Sequence, residues 1–346
     1  FTTQIAADVP FNDERILSIL NSKIPKKCEI YDPISIIRSF LYPKGEWSFD
    51  SFFTTFENPK GTKYNSLDLT HHSILRQWRH KFSRSYFSNS NLKEIDLSFA
   101  DFTEASITQV NFSRAIMNGT NFNHSFLKEC NFMYAKLDKA RFQQAFLKGT
   151  IFDNASLSGA NFNNANLKNV SFVKTNLSGV NFQGTKFNSI MFEGAELSNS
   201  VFQNQEIFHW NANFKKTGLS GANFSNVKIL KGNFHNANLM DAIFIGANLK
   251  GGNFEKSTLL TTNFENANLS RANFKNAIIY NTNLKNADLR LAINLDVFRL
   301  LRASNLQNAK CSPEITKVLE EIGCLDILYK APQEWSTDLK NNIERH

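Results

Sequence analysis

From Leu92 onward an apolar residue returns at every fifth position, through Leu97, Phe102, Ile107, Phe112, Met117, Phe122 and Leu127 and on without a miss to Ile207. A second run begins in a shifted frame at Phe214 and continues by fives to Leu289. These 40 centres comprise 19 Phe and 16 Leu, the rest being Ile or Met; the residue two before the centre is Ala at 19 of them and Ala, Ser, Thr, Val, Gly or Cys at 37. A period of five matches neither the 3.6 of a helix nor the 2 of a strand, so neither regular element can turn this pattern toward a core. The chain must turn at every repeat, carrying one large and one small side chain inward each time.

Composition agrees with a repeat array. Phe occurs 33 times in 346 residues while Gly (15) and Pro (7) are scarce, a bias with no obvious use in a globular enzyme. With 20% charged residues and a mean hydropathy of -0.33, the chain reads as soluble and folded. No stretch approaches the ~18 consecutive apolar residues of a membrane span. Cys28, Cys130, Cys311 and Cys324 are far apart, which suggests neither a disulfide framework nor a zinc site and points to a reducing compartment. The first residue is Phe1 rather than Met, so an upstream targeting segment stays open.

Segments such as Ala160-Asn161-Phe162, Ala165-Asn166-Leu167, Ala247-Asn248-Leu249 and Ala267-Asn268-Leu269 resemble the A(N/D)Lxx motif of the pentapeptide repeat proteins. The resemblance covers roughly residues 89–292. It implies an all-β, right-handed quadrilateral β-helix with four repeats per coil. Forty repeats would then make about ten coils, and at a rise of ~4.8 Å the rod would be about 48 Å long. The alternation of Phe and Leu centres agrees with this, as do Lys128, Lys148 and Lys168, which stand one such coil apart.

Three domains follow. Residues 1–88 are expected to form a helical N-terminal domain and capping helix, with apolar-periodic stretches near 13–22, 34–42 and 47–56 separated by Pro25, Pro33, Pro43 and Pro59. The capping helix would start at Thr70 and run to about Arg84, burying Ile74, Leu75, Trp78 and Phe82. Its other sides would show Arg76, Arg79, Lys81 and Arg84 to solvent, to acidic lipid or to nucleic acid. Residues 89–292 form the solenoid. Residues 293–346 are expected to give a C-terminal helical cap, with a helix from Ser312-Pro313-Glu314 to about Ile322 stopped by Gly323, followed by a polar tail. Between Ile207 and Phe214 the spacing is seven, so two inserted residues should bulge at 208–211. There Phe208, His209 and Trp210 are either an interface anchor or rings folded back on the rod.

No catalytic constellation emerges. GxSxG, the P-loop, GxGxxG and HExxH are all missing, and the seven His are dispersed apart from His71-His72. No catalytic, cofactor-binding or metal-ligating residue, no cofactor and no small-molecule substrate is assigned, and the chain is expected not to be an enzyme. Charge says more. Of the net +8, residues 91–292 contribute +6 (20 basic, 14 acidic). When the centres are dealt out in fours, the face through Leu127, Leu147 and Leu167 collects Lys128, Lys148, Lys168, Lys186, Lys228, Lys231, Lys250, Arg271 and Arg290 against only Glu129, Glu206 and Asp288.

The leading expectation is a non-catalytic interaction scaffold or adaptor whose basic edge meets an acidic partner, most readily a protein. The alternatives are an anionic membrane surface or a nucleic acid, and a face that merely keeps rods soluble. The resemblance implies further contexts: DNA mimics that bind DNA gyrase and protect it from quinolones, which need a strongly negative surface, and bacterial effectors delivered into host cells. Under the last, the compartment would be the host cytosol or a membrane surface; otherwise it would be cytoplasmic. Homodimerisation through one end, common in the family, stays open.

Overall fold

A computed structural model describes the backbone of residues 63–65 together with residues 82–203 and 212–345. Each repeat closes a turn by itself. At Phe162 the ring is fully buried, and its carbonyl accepts the N–H of Ala165 at 2.9 Å. Asn164, between them, is left-handed at φ 57°. The residue before the centre locks the turn: Asn161 Oδ1 accepts the N–H of Asn163 at 2.9 Å. Asn and Asp recur there because a short side-chain carbonyl can replace a backbone acceptor two residues on.

The turns stack in register. Asn161 N–H donates to Ala140 O at 2.9 Å, and Phe162 N–H donates to Asn181 O at 2.8 Å. One side carries a seven-stranded, all-parallel sheet in chain order: β1 (Lys63–Asn65), β2 (Tyr86–Ser88), β3 (Ser106–Thr108), β4 (Phe126–Lys128), β5 (Phe146–Lys148), β6 (Asn166–Lys168) and β7 (Lys186–Asn188). On another side single parallel pairings run Asn91 to Asn111 to Asn131 and on through Met191, Asn213 and Asn273 to Ile293. The bore is filled by Leu and by two columns of stacked Phe. One column passes through Phe102, Phe122, Phe142 and Phe162, with centroids 4.6–5.1 Å apart. The other passes through Phe112, Phe132 and Phe152. The parallel β-solenoid of the sequence reading is therefore the observed architecture.

The inserted pair before Phe214 also appears as a change of register. Met191 pairs with Asn213 and Val201 with Asn223, a longer step along the chain than Asn161 to Asn181. Phe192 nevertheless stacks on Phe214 at 5.4 Å and Phe202 on Phe224 at 4.5 Å. The added residues leave the core continuous. The expected bulge at 208–211, with Phe208, His209 and Trp210, lies outside the described residues.

Both boundaries of the solenoid differ from expectation. The expected helical domain lies outside the described residues except at Lys63–Asn65, which are a strand. The described end of the expected capping helix is not helical: Phe82 stacks on Phe102 at 4.8 Å, Phe87 is buried and Arg84 is left-handed at φ 59°. Phe82 and Phe87 hold the same five-residue register as Leu92, so they join the core. At the other end, Asn283 pairs with Asn305 and Asp288 with Lys310, which extends the coils past residue 292.

There α1 (Val297–Leu300), capped by Asp296 Oδ1 accepting the Phe298 N–H at 2.9 Å, takes the place of one side. Then α2 (Pro313–Glu321) packs Ile315 and Leu319 inward and stops before Gly323 at φ 69°, as the sequence indicates. The expected polar tail is instead structured: α3 (Thr337–Arg345) buries Leu339. Asn308 N–H donates to Leu328 O at 2.7 Å, so the cap pairs with a backbone edge that would otherwise template aggregation.

Candidate interaction face

The basic residues grouped by sequence share one side of the tube but occupy three columns of it. Lys128, Lys148 and Lys168 are direct partners on β4, β5 and β6, one residue after the buried Leu127, Leu147 and Leu167. Lys250 and Arg290 hold the corresponding place after Leu249 and Leu289. Lys186 and Lys228 precede their centres, whereas Lys231 and Arg271 stand two after, at left-handed corners. The strands thus bring three lysines into consecutive register and spread the other six.

Pairing divides them further. Lys128 Nζ lies 3.7 Å from Glu129, and Arg290 grips Asp288 at 2.9 Å. The Arg290 hydrogen bond holds the Asp288 carboxyl below the usual carboxylate range. Among the described residues no carboxylate lies within 4.0 Å of the Lys148, Lys168, Lys186 or Lys250 ammonium, given the ion pairs present. Lysines stacked at the ~4.8 Å strand spacing repel by a little under 1 kcal/mol in water, so the column contributes nothing to folding.

Beside the lysines is an aromatic feature that the charge count passes over. Phe126 and Phe146 precede the same centres, on the outer side of β4 and β5, and their rings stack at 5.3 Å and 7°. Phe126 is 38% exposed and Tyr86, in the same column on β2, is 52% exposed. The signal was in the sequence: Phe126 and Phe146 stand one coil apart, as Lys128 and Lys148 do, at a place where the repeat normally carries Asn.

Two of the cysteines are poorly placed for nucleophilic chemistry. Burial pushes the Cys130 thiol up to about 12 and Cys311 up to about 11, which disfavours the nucleophilic thiolate. Among the described residues no group of three or more His, Cys, Asp or Glu side chains could hold a metal ion. No helix among them is long and apolar enough to cross a membrane.

Family comparison agrees with this architecture. A model described as a pentapeptide repeat region matches residues 145–224, and one described as pentapeptide repeats (8 copies) matches 81–119, 117–149, 219–255 and 262–293. The chain belongs to the pentapeptide repeat family. Among solved structures it is similar to HetL, a pentapeptide repeat protein involved in heterocyst differentiation regulation from the cyanobacterium Nostoc sp. strain PCC 7120. The identity is 20%, covering 66% of this chain and 90% of that one, with a TM-score of 0.44. It is also similar to full-length QnrB1, a plasmid-mediated fluoroquinolone resistance protein, at 21% identity over 76% and 97% with a TM-score of 0.24. A pentapeptide repeat protein of the Arabidopsis thaliana thylakoid lumen is 25% identical over 40% and 70%, with a TM-score of 0.18. No curated protein matches.

Proposed function

We propose that the chain is a non-catalytic interaction scaffold: a stiff rod of about ten coils whose basic edge docks an acidic protein partner. The observation that carries this reading is the register of Lys128, Lys148 and Lys168 on adjacent paired strands. Stacked like charges cost the fold a little, and a rigid backbone holds their Cα atoms at fixed spacing, so an acidic surface meets them with no backbone to order. Lys186, Lys228, Lys231, Lys250, Arg271 and Arg290 extend the field along the same side. Such a field raises association rates and gives them a salt dependence.

The gyrase-binding DNA-mimic alternative requires a negative surface, and this edge has the opposite sign. The test is affinity capture with the full chain and with the Lys148→Glu, Lys168→Glu, Lys250→Glu triple variant, at low and high salt. Partners retained equally by both proteins, with the same salt dependence, would refute the basic edge.

A further inference from the structure

The lysine column and the exposed rings share one surface because residues one before and one after a centre point to the same side of a strand, about 7 Å apart. Followed from β2 upward, the column before the centres reads Tyr86, Ser106, Phe126, and then Phe146. Phe126 and Phe146 close on each other at 5.3 Å. Ser106 leaves one level empty of aromatic, between the exposed Tyr86 and the exposed Phe126.

We propose that this open level is a docking site for the aromatic side chain of an acidic protein segment, whose carboxylates lie on Lys128, Lys148 and Lys168. The inference rests on reading the lysine column as a binding edge and specifies what binds there. A ring above Ser106 would lie about 4.8 Å from the level on either side. That is the separation at which the rod already stacks its own rings, 4.6 Å for Phe142 on Phe162 and 5.1 Å for Phe102 on Phe122. An aromatic seated between two others, beside a desolvated charge pair, has the makeup of an interface hot spot. Lys128 is one level above the open site and across the strand, so carboxylates two or three residues from the ring would reach the column. A protein segment fits better than a nucleic-acid strand. Base stacking along a strand needs a succession of open aromatic levels, and here the next level is closed by Phe126 meeting Phe146.

The experiment uses the full chain and two fluorescein-labelled, glutamate-rich 12-residue peptides that differ only by a central Trp or Ala. Binding is followed by anisotropy at low and high salt. The Trp peptide should bind about tenfold more tightly, the equivalent of about 1.4 kcal/mol. Ser106→Phe closes the level with a residue type that the same column carries at 126 and 146. It should bring the Trp peptide to the affinity of the Ala peptide and leave the salt dependence unchanged. Phe126→Ser should have the same effect by removing one wall, and circular dichroism checks that both variants keep the fold.

Lys148→Glu with Lys168→Glu should weaken both peptides. Equal affinities for the two peptides in the unmodified protein, or indifference to Ser106→Phe, would overturn the aromatic site while leaving the basic edge standing. Failure of both peptides to bind at low salt would overturn the edge itself. Oligothymidylate or phosphatidylserine vesicles that bind more tightly than the Trp peptide, and lose that advantage on Ser106→Phe, would overturn the assignment to a protein.

Discussion

The rings of Phe142 and Phe162 lie 4.6 Å apart and only 2° from parallel, although a full coil of chain separates them. Each ring is fully buried and is held on both sides by its column, Phe122 below and Phe182 above. Replacing Phe162 by Ala should therefore open a cavity that the rigid coils cannot collapse into, costing about 3–5 kcal/mol, whereas Phe162→Leu should cost less. Urea unfolding followed by far-ultraviolet circular dichroism measures both. Because neighbouring coils support one another, the Ala variant should also unfold over a broader range as cooperativity along the stack weakens.

Two buried threonines in equivalent repeat positions should respond with opposite signs. Thr175 Oγ1 donates to Phe152 O at 2.7 Å, so Thr175→Val should cost about 1 kcal/mol. Thr150 Oγ1 is buried without a partner among the described residues, and its column carries Val at 110 and 170. Thr150→Val should stabilise the protein by about 1 kcal/mol, since it removes an unpaired hydroxyl at nearly constant volume. A loss of stability in both variants, measured by denaturant midpoint, would show that the Thr150 hydroxyl has a partner in solution.

Asp288 should make part of the stability pH-dependent. Its carboxyl is held below the ordinary range, chiefly by the Arg290 side-chain hydrogen bond. A depressed folded value means that the contribution is present above the unfolded value of about 4 and fades as pH falls through the folded one. Asp288→Asn can keep the acceptor for the Arg290 N–H, 3.1 Å away in the native protein, but loses the charge. The native protein should have the higher urea midpoint at pH 7, with the two midpoints converging as acid protonates the Asp288 carboxyl. A gap that persists in acid would assign the effect to packing instead.

How much could be read in advance depended on whether a residue kept the five-residue count. Leu92 to Ile207 and Phe214 to Leu289 kept it, so the turn at every repeat was legible from spacing. The register of Lys128, Lys148 and Lys168 came from the four repeats per coil that the family resemblance implies. The ends were obscured by a competing helical spacing on one side and a change of phase on the other. Phe82 falls at helical spacing from Ile74, Leu75 and Trp78, which favoured a helical reading although Phe82 stacks on Phe102. After Leu289 the next coil takes in α1 and pairs Asn305 with Asn283, a longer step than the regular coils make. Leu306 therefore falls out of phase although it is buried. Phe126 and Phe146 were passed over for a different reason. An apolar residue beside a buried centre looks like more core until the alternation of the strand turns it outward.

Lys148 offers a way to separate folding from binding. It stands between Lys128 and Lys168 on paired strands, so Lys148→Glu turns two repulsions into two attractions. Exposed side chains splay and are screened, which limits the gain to between a few tenths of a kcal/mol and about 1 kcal/mol. The variant should nevertheless be slightly more stable than the native protein at about 20 mM salt, and that advantage should shrink at about 500 mM, where screening is effective within a few ångströms. The same substitution should weaken capture of an acidic partner, because the column would then present a carboxylate at its middle. Stability and binding moving in opposite directions is the signature of a charge ladder maintained for a partner. A variant that lost both would place Lys148 among the residues that hold the coils together.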